Sequence, residues 1–178
     1  MSRGQNELTR PVDEHDHAQG PADAPVTLVE YGDYECPYCG MAYPVVKRVQ
    51  ARLGDKLRFM FRNFPLSEAH PHATPAAELA EAAALQGKFW EMHDTLYEHQ
   101  RALEPTDLEK YARKVGLDLD ALEAALRGGK THQRVKSDFM SGVRSGVNGT
   151  PTFFINGQRF DGDWRDADIL VAALAAQM

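Results

Sequence analysis

Cysteine is close to absent from this sequence. Among 178 residues only Cys36 and Cys39 carry a thiol, so no disulfide can close the long loops that staple small secreted domains. A pair three residues apart is a redox device, half of a metal site, or incidental. Long apolar runs are missing as well: stretches such as Ile169 to Ala176 fall well short of the ~20 residues that a membrane span requires. Nor is there an excess of positive charge. Lys and Arg number 20 against 26 Asp and Glu, for a net charge of −6, and the signs are interspersed, so no nucleic-acid footprint is visible. Neither a nucleic-acid nor a membrane partner is expected. The first ten residues lack the apolar core of ~7 to 15 residues found in secretory signals, and a cytoplasmic location is the corresponding expectation.

The 43% of apolar residues suffices for one good core with an inserted subdomain. Residues 1–24 are rich in Asp, Glu, His, Gln, Pro and Gly, a composition that cannot offset its ordering entropy, and they read as a flexible tail. His15, Asp16 and His17 look like a fragment of a metal site, but solvation in an acidic tail accounts for them. Val26 to Tyr31 is a β-rich run suited to a buried strand. From Cys36 the spacing turns helical, with Met41, Val45, Val46, Val49 and Leu53 at intervals of three and four and Gly54 as the stop. Leu57 to Phe64 then predicts a second strand, so that strand, helix and strand form a right-handed crossover with a parallel pair.

Residues 66–146 carry only helical signals. Thr74-Pro75 starts one helix, Phe89 to Tyr97 is a second, Thr106 to Glu109 resembles a capping box for a third, and Asp118 caps a fourth. A fifth runs from about Thr131 to Ser145. Pro151 to Ile155 is a strand, Asn156-Gly157 a hairpin turn and Gln158 to Phe160 the return strand. Asp166 to Gln177 closes the reading as an amphipathic helix.

Disulfide exchange requires a thiolate that is exposed, electrostatically stabilised and close to a second thiol able to resolve the mixed disulfide. Cys36, at a predicted helix N-terminus where unpaired N–H groups favour negative charge, is the expected nucleophile. Cys39, one turn later and facing inward, is the expected resolving thiol. Zinc would need two further ligands; His70 and His72 form the only later close histidine pair, and Pro71 between them favours a loop over a ligand helix. No metal and no cofactor beyond a Cys36–Cys39 disulfide are expected.

The strand running into Cys36-Pro37-Tyr38-Cys39 at a helix start, followed much later by Gly149-Thr150-Pro151-Thr152 before a strand and hairpin, resembles the thioredoxin superfamily. The helical block between the two halves looks like its DsbA-like branch. The resemblance implies an α/β, thioredoxin-like fold, a central mixed sheet flanked by helices, formed by residues 25–65 and 146–178, with residues 66–145 as an inserted all-helical subdomain. It further implies that Pro151 is a cis-proline, that Thr150 faces Cys36 and offers its backbone to an extended substrate, and that Glu30 is a buried acid able to take the Cys39 proton. Pro37 and Tyr38 would shape the substrate surface.

The expected activity is thiol–disulfide exchange with protein thiols and disulfides, served by a partner reductase or glutathione. The lack of a leader tilts its direction towards reductase, isomerase or sensor. Two alternatives stay open: a glutathione-linked, glutaredoxin-like reductase, for which Cys-Pro-Tyr-Cys is also the motif, and a non-enzymatic peptide-binding or zinc-binding module of the same fold.

Overall fold

The computed structural model describes residues 6–178. The chain divides into two compact units. The sheet unit holds β1 (His17–Gln19), β2 (Val26–Gly32), α1 (Pro37–Leu53), nearly all of β3 (Leu57–Asn63), β4 (Thr152–Ile155), β5 (Gln158–Phe160) and α7 (Ala167–Ala175). Its strands lie in the order β1-β3-β2-β4-β5, with β1·β3, β2·β4 and β4·β5 antiparallel. β2 and β3 are buried along almost their whole length, as expected of central strands covered on both faces. The β4–β5 turn places Asn156 at φ 47° and Gly157 at φ 82°, the two left-handed residues of a type I′ hairpin.

The apolar stripe of α1 differs from the expected one. Its buried residues are Cys39, Ala42, Val45, Val46 and Val49, while Met41 is 50% exposed. Cys39 counts as an apolar position and sets the stripe; Met41, two residues on, falls on the other side of a 3.6-residue turn.

The expected tail over residues 1–24 is overturned for much of its length; residues 1–5 lie outside the described residues. β1 pairs with β3, His17 opposite Phe61, and Leu8 and Arg159 bond across to Gly157 and Asn6 at β5. The cause is Arg62, whose side chain is fully buried on β3. It donates to both carboxylate oxygens of Asp16 at 2.8 and 2.9 Å, to the carbonyls of Arg10 and Pro11 at 2.9 and 3.1 Å, and to the Tyr31 hydroxyl at 3.0 Å. A buried guanidinium needs such acceptors, and polar residues supply them where apolar ones could not. Asp16 is therefore a buried partner rather than a solvated tail residue.

The helical unit takes residues 33–36 and 63–139, not the expected 66–145. It contains α2 (Ala73–Ala84), α3 (Phe89–Glu98), α4 (Pro105–Val115), α5 (Leu119–Arg127) and the first two turns and more of α6 (Lys130–Arg144). The end of α6 belongs to the sheet unit, where Ser141 bonds the Tyr31 hydroxyl at 2.8 Å. Asp118 caps α5 through the amide of Ala121. The capping box of α4 is formed by Glu104 and Asp107, two residues before the expected one at Thr106, because Pro105 is suited to the first helical position. Among the described residues no helix is long and apolar enough to cross a membrane.

Candidate active site

β2 is a buried run that delivers the chain to Asp33, and the four residues from there to Cys36 are fixed by hydrogen bonds within the helical unit. The side chain of Asp33 is fully buried. Its Oδ1 accepts from the Glu35 amide at 2.8 Å, its Oδ2 from the Leu66 amide at 3.0 Å and from His70 Nδ1 at 2.8 Å, and its carbonyl from the Cys36 amide at 3.1 Å. Glu35 accepts from the amide and the Nδ1 of His72 at 2.6 and 2.8 Å, and His72 Nε2 stands 3.3 Å from Glu104. The Tyr34 hydroxyl meets His93 Nδ1 at 3.0 Å. The Gln100 amide donates to the carbonyls of Tyr34 and Cys36 at 3.0 and 2.6 Å.

These contacts set the charges around the cysteine. Burial pulls the imidazole of His70 down, but the hydrogen bond and charge of Asp33, helped by negative charge at Cys36 and Glu35, outweigh it and leave its pKa above the ordinary value. His72 is raised chiefly by its hydrogen bond to Glu35, against a smaller desolvation effect, with the charges of Glu35 and Glu104 adding. Among the described residues no group of three or more His, Cys, Asp and Glu is arranged to hold a metal ion; the Nδ1 atoms of both His70 and His72 are engaged by carboxylates.

Cys36 immediately precedes Pro37, the first residue of α1, and Cys39 lies one turn in. Cys39 is fully buried, as expected. Cys36 is not the exposed nucleophile that was expected: it is 3% exposed, because the bonds to its amide and carbonyl draw the loop inward. Pro37, Tyr38 and Met41 are exposed at the start of α1, with the Arg165 guanidinium 5.9 Å from the centre of the Tyr38 ring.

Glu30 sits on β2 opposite Phe153 of β4 and is 2% exposed, so it does not point to solvent. The Thr150–Pro151 bond is cis, and Thr152 Oγ1 donates to the Gly149 carbonyl at 2.7 Å. Glu30, Pro37, Tyr38, Cys39, Thr150 and Pro151 belong to the sheet unit and Cys36 to the helical unit. The residues whose place at the site was not anticipated from sequence are Asp33, Glu35 and Gln100, together with His70 and His72, which had been weighed only as zinc ligands. The signal for four of them was present: Asp33-x-Glu35 before the motif matches His70-x-His72, and the pairs bond in that order.

Solved proteins share this fold. BdbD from Bacillus subtilis aligns with a TM-score of 0.84 at 23% identity, over 98% of this chain and 97% of that one. The thiol-disulfide exchange protein alpha-DsbA2 from Wolbachia pipientis gives 0.82 at 20% identity, over 93% and 89%. A thioredoxin-like oxidoreductase from Silicibacter pomeroyi DSS-3 gives 0.80 at 27% identity, over 93% and 94%.

Curated relatives carry a different name. The Na(+)/H(+) antiporter NhaA 3 of Salinispora tropica is 46% identical over 176 residues, 98% of this chain and 27% of that protein. The antiporter NhaA 1 of Mycobacterium sp. (strain KMS) is 46% identical over 172 residues, 95% and 28%. The chain thus spans little more than a quarter of these relatives' length. They leave the expectation of a cytoplasmic protein, which rested on the missing leader, without support. Where a matching stretch is so small a part of proteins named as antiporters, its first residues do not report a compartment. The tilt towards reductase, isomerase or sensor rested on the same ground and falls with it. The profile of the family described as thioredoxin matches residues 12–173, nearly the whole length, and the chain belongs to that family.

Proposed function

We propose that this chain exchanges disulfides with protein thiols through Cys36, with Cys39 as the resolving thiol. The observation that carries the reading is the placement of the only two cysteines in the sequence: one at the N-terminal edge of α1, the other buried one turn inside it. Amides at a helix start have no intrahelical partner and favour a thiolate there. The names of the fold relatives from Wolbachia and Silicibacter support the same chemistry.

In the reducing direction the Cys36 thiolate attacks one sulfur of a substrate disulfide, and the other sulfur leaves as a thiolate. Cys39 then gives up its proton and attacks Cys36, releasing the second substrate sulfur and closing the Cys36–Cys39 bond; two electrons have passed to the substrate. Run backwards, the same steps oxidise a substrate dithiol. Glu30, buried on β2, is the candidate acceptor for the Cys39 proton. Thr150 would offer backbone groups to an extended substrate, and Pro37 and Tyr38 would border its path.

The test is turnover of a protein disulfide by the two serine variants. Cys36→Ser is expected to lose exchange entirely, and Cys39→Ser to accumulate a mixed disulfide through Cys36. Undiminished exchange in Cys36→Ser would refute the reading.

A further inference from the structure

Two carboxylate–imidazole pairs, Asp33 with His70 and Glu35 with His72, flank the backbone of Cys36 within the helical unit. Asp33 is the hub. One carboxylate oxygen holds the His70 ring and the Leu66 amide, while its carbonyl holds the Cys36 amide. Both side-chain oxygens of Asp33 already accept backbone N–H groups, from Glu35 and Leu66, so the side chain serves as an acceptor towards His70 as well, which puts the ring proton on Nδ1 and leaves Nε2 as the nitrogen that titrates.

We infer that His70, fixed by Asp33, is a positioning residue for Cys36: its imidazolium stabilises the Cys36 thiolate, and the redox state of the cysteine pair is thereby coupled to protonation of His70. This rests on the thiol–disulfide reading above. The charges that act on His70 are those of Asp33, which it touches, and of Cys36 and Glu35 in the same loop, all negative when ionised. His72, on its own segment, is engaged with Glu35 and with Glu104 at the start of α4. Each carboxylate of the loop therefore has its own imidazole, and the added charge that distinguishes the reduced from the oxidised state is the one on Cys36. Negative charge there raises the pKa of His70, and coupling between two titrating sites is reciprocal.

The electron balance follows. A protein dithiol gives two electrons to the Cys36–Cys39 bond, which breaks as the substrate's own S–S bond forms. Of the two substrate protons one goes to Cys39. The other is taken up by His70 or released to solvent, since Cys36 remains a thiolate.

The experiment is the titration of the His70 ring by NMR in the oxidised and reduced full-length protein, which needs no turnover. The midpoint is expected to be higher in the reduced protein, and equal midpoints would overturn the inference. A second arm titrates the Cys36 thiolate by its ultraviolet absorbance in His70→Gln and His70→Lys. Gln is expected to raise the thiolate midpoint by about one pH unit, a tenfold change, which lowers the reduction potential by about 30 mV; Lys keeps the charge and is expected to restore most of it. Equal shifts in both variants would mean that His70 serves packing alone and would refute the charge role. Failure of Cys36→Ser to abolish exchange would sink the enzymatic reading separately, because neither titration measures exchange.

Discussion

Asp16 and Arg62 form an ion pair in the sheet unit, with both side chains almost wholly buried. Burial opposes the charge of each, but their mutual hydrogen bonds prevail. The Asp16 carboxyl ends below its ordinary value and the Arg62 guanidinium above its own. The sign of the pH dependence follows. A carboxyl lowered by folding contributes stability that is present above its unfolded value near 3.8, and that is lost as pH falls through the folded value. Asp16→Asn should therefore cost about 3 to 5 kcal/mol near neutral pH, the loss typical of breaking a buried pair from one side. Urea unfolding should show the gap to the native protein narrowing as the pH falls below 3.8. A gap that stayed constant across that range would contradict the argument. At this scale the thiols were legible because only two exist and their spacing is diagnostic. The pairing of Asp33 with His70 was not, since residues 37 apart in sequence meet only once the loop after β2 is folded, and no local period connects them.

Helices and strands differ in how much of their ends the sequence reveals. The start of α5 could be read from Asp118 alone, because a cap is a local bond between a side chain and an amide three residues on. The start of α4 was displaced by two residues because Thr106 and Glu104 both satisfy a capping pattern, and the choice depends on Pro105. β1 could not be read at all. Three half-buried residues have no period of their own, and they form a strand only because β3 offers an edge. Gly20 shows how tight that edge is. Its φ is +93°, and a Cβ there would stand 2.1 Å from the Leu57 carbonyl oxygen. Backbone cannot yield as a side-chain tip can, so Gly20→Ala should destabilise by more than the ~1 to 2 kcal/mol of a left-handed alanine. Asp118→Ala, which removes one exposed cap, should cost about 1 kcal/mol. Thermal unfolding of the two variants checks the order, and a milder loss for Gly20→Ala would contradict the clash.

Across the whole molecule, the order of the elements after β1 was legible from sequence and the division into units was less so. Hydrophobic period and turn residues act over a dozen residues and named each α-helix among the described residues. The unit boundaries depend on which distant groups the loops bond, as when residues 33–36 join the helical unit through His70, His72, His93 and Gln100. The segment before Pro21 has the same long-range character. Its residues 6–8 bond to β5 at one edge of the sheet, and residues 17–19 pair with β3 towards the other. Between them Thr9 bonds Ser145, and Arg10, Pro11 and Asp16 surround Arg62. One short stretch thus covers both sheet edges and neutralises the buried guanidinium. A chain beginning at Pro21 should lose all of these at once. Its unfolding free energy should fall by at least the ~3 to 5 kcal/mol of an orphaned buried charge, and its two uncovered edges should promote concentration-dependent association. Removing the pairing need of Arg62 separates the two effects. Arg62→Met in the shortened chain should recover part of the stability, because the unpaired charge is gone, yet leave the association, because the edges stay open. Sedimentation and urea unfolding of the two shortened proteins measure this, and a shortened chain as stable as the full one would show that the segment only lies on the fold without supporting it.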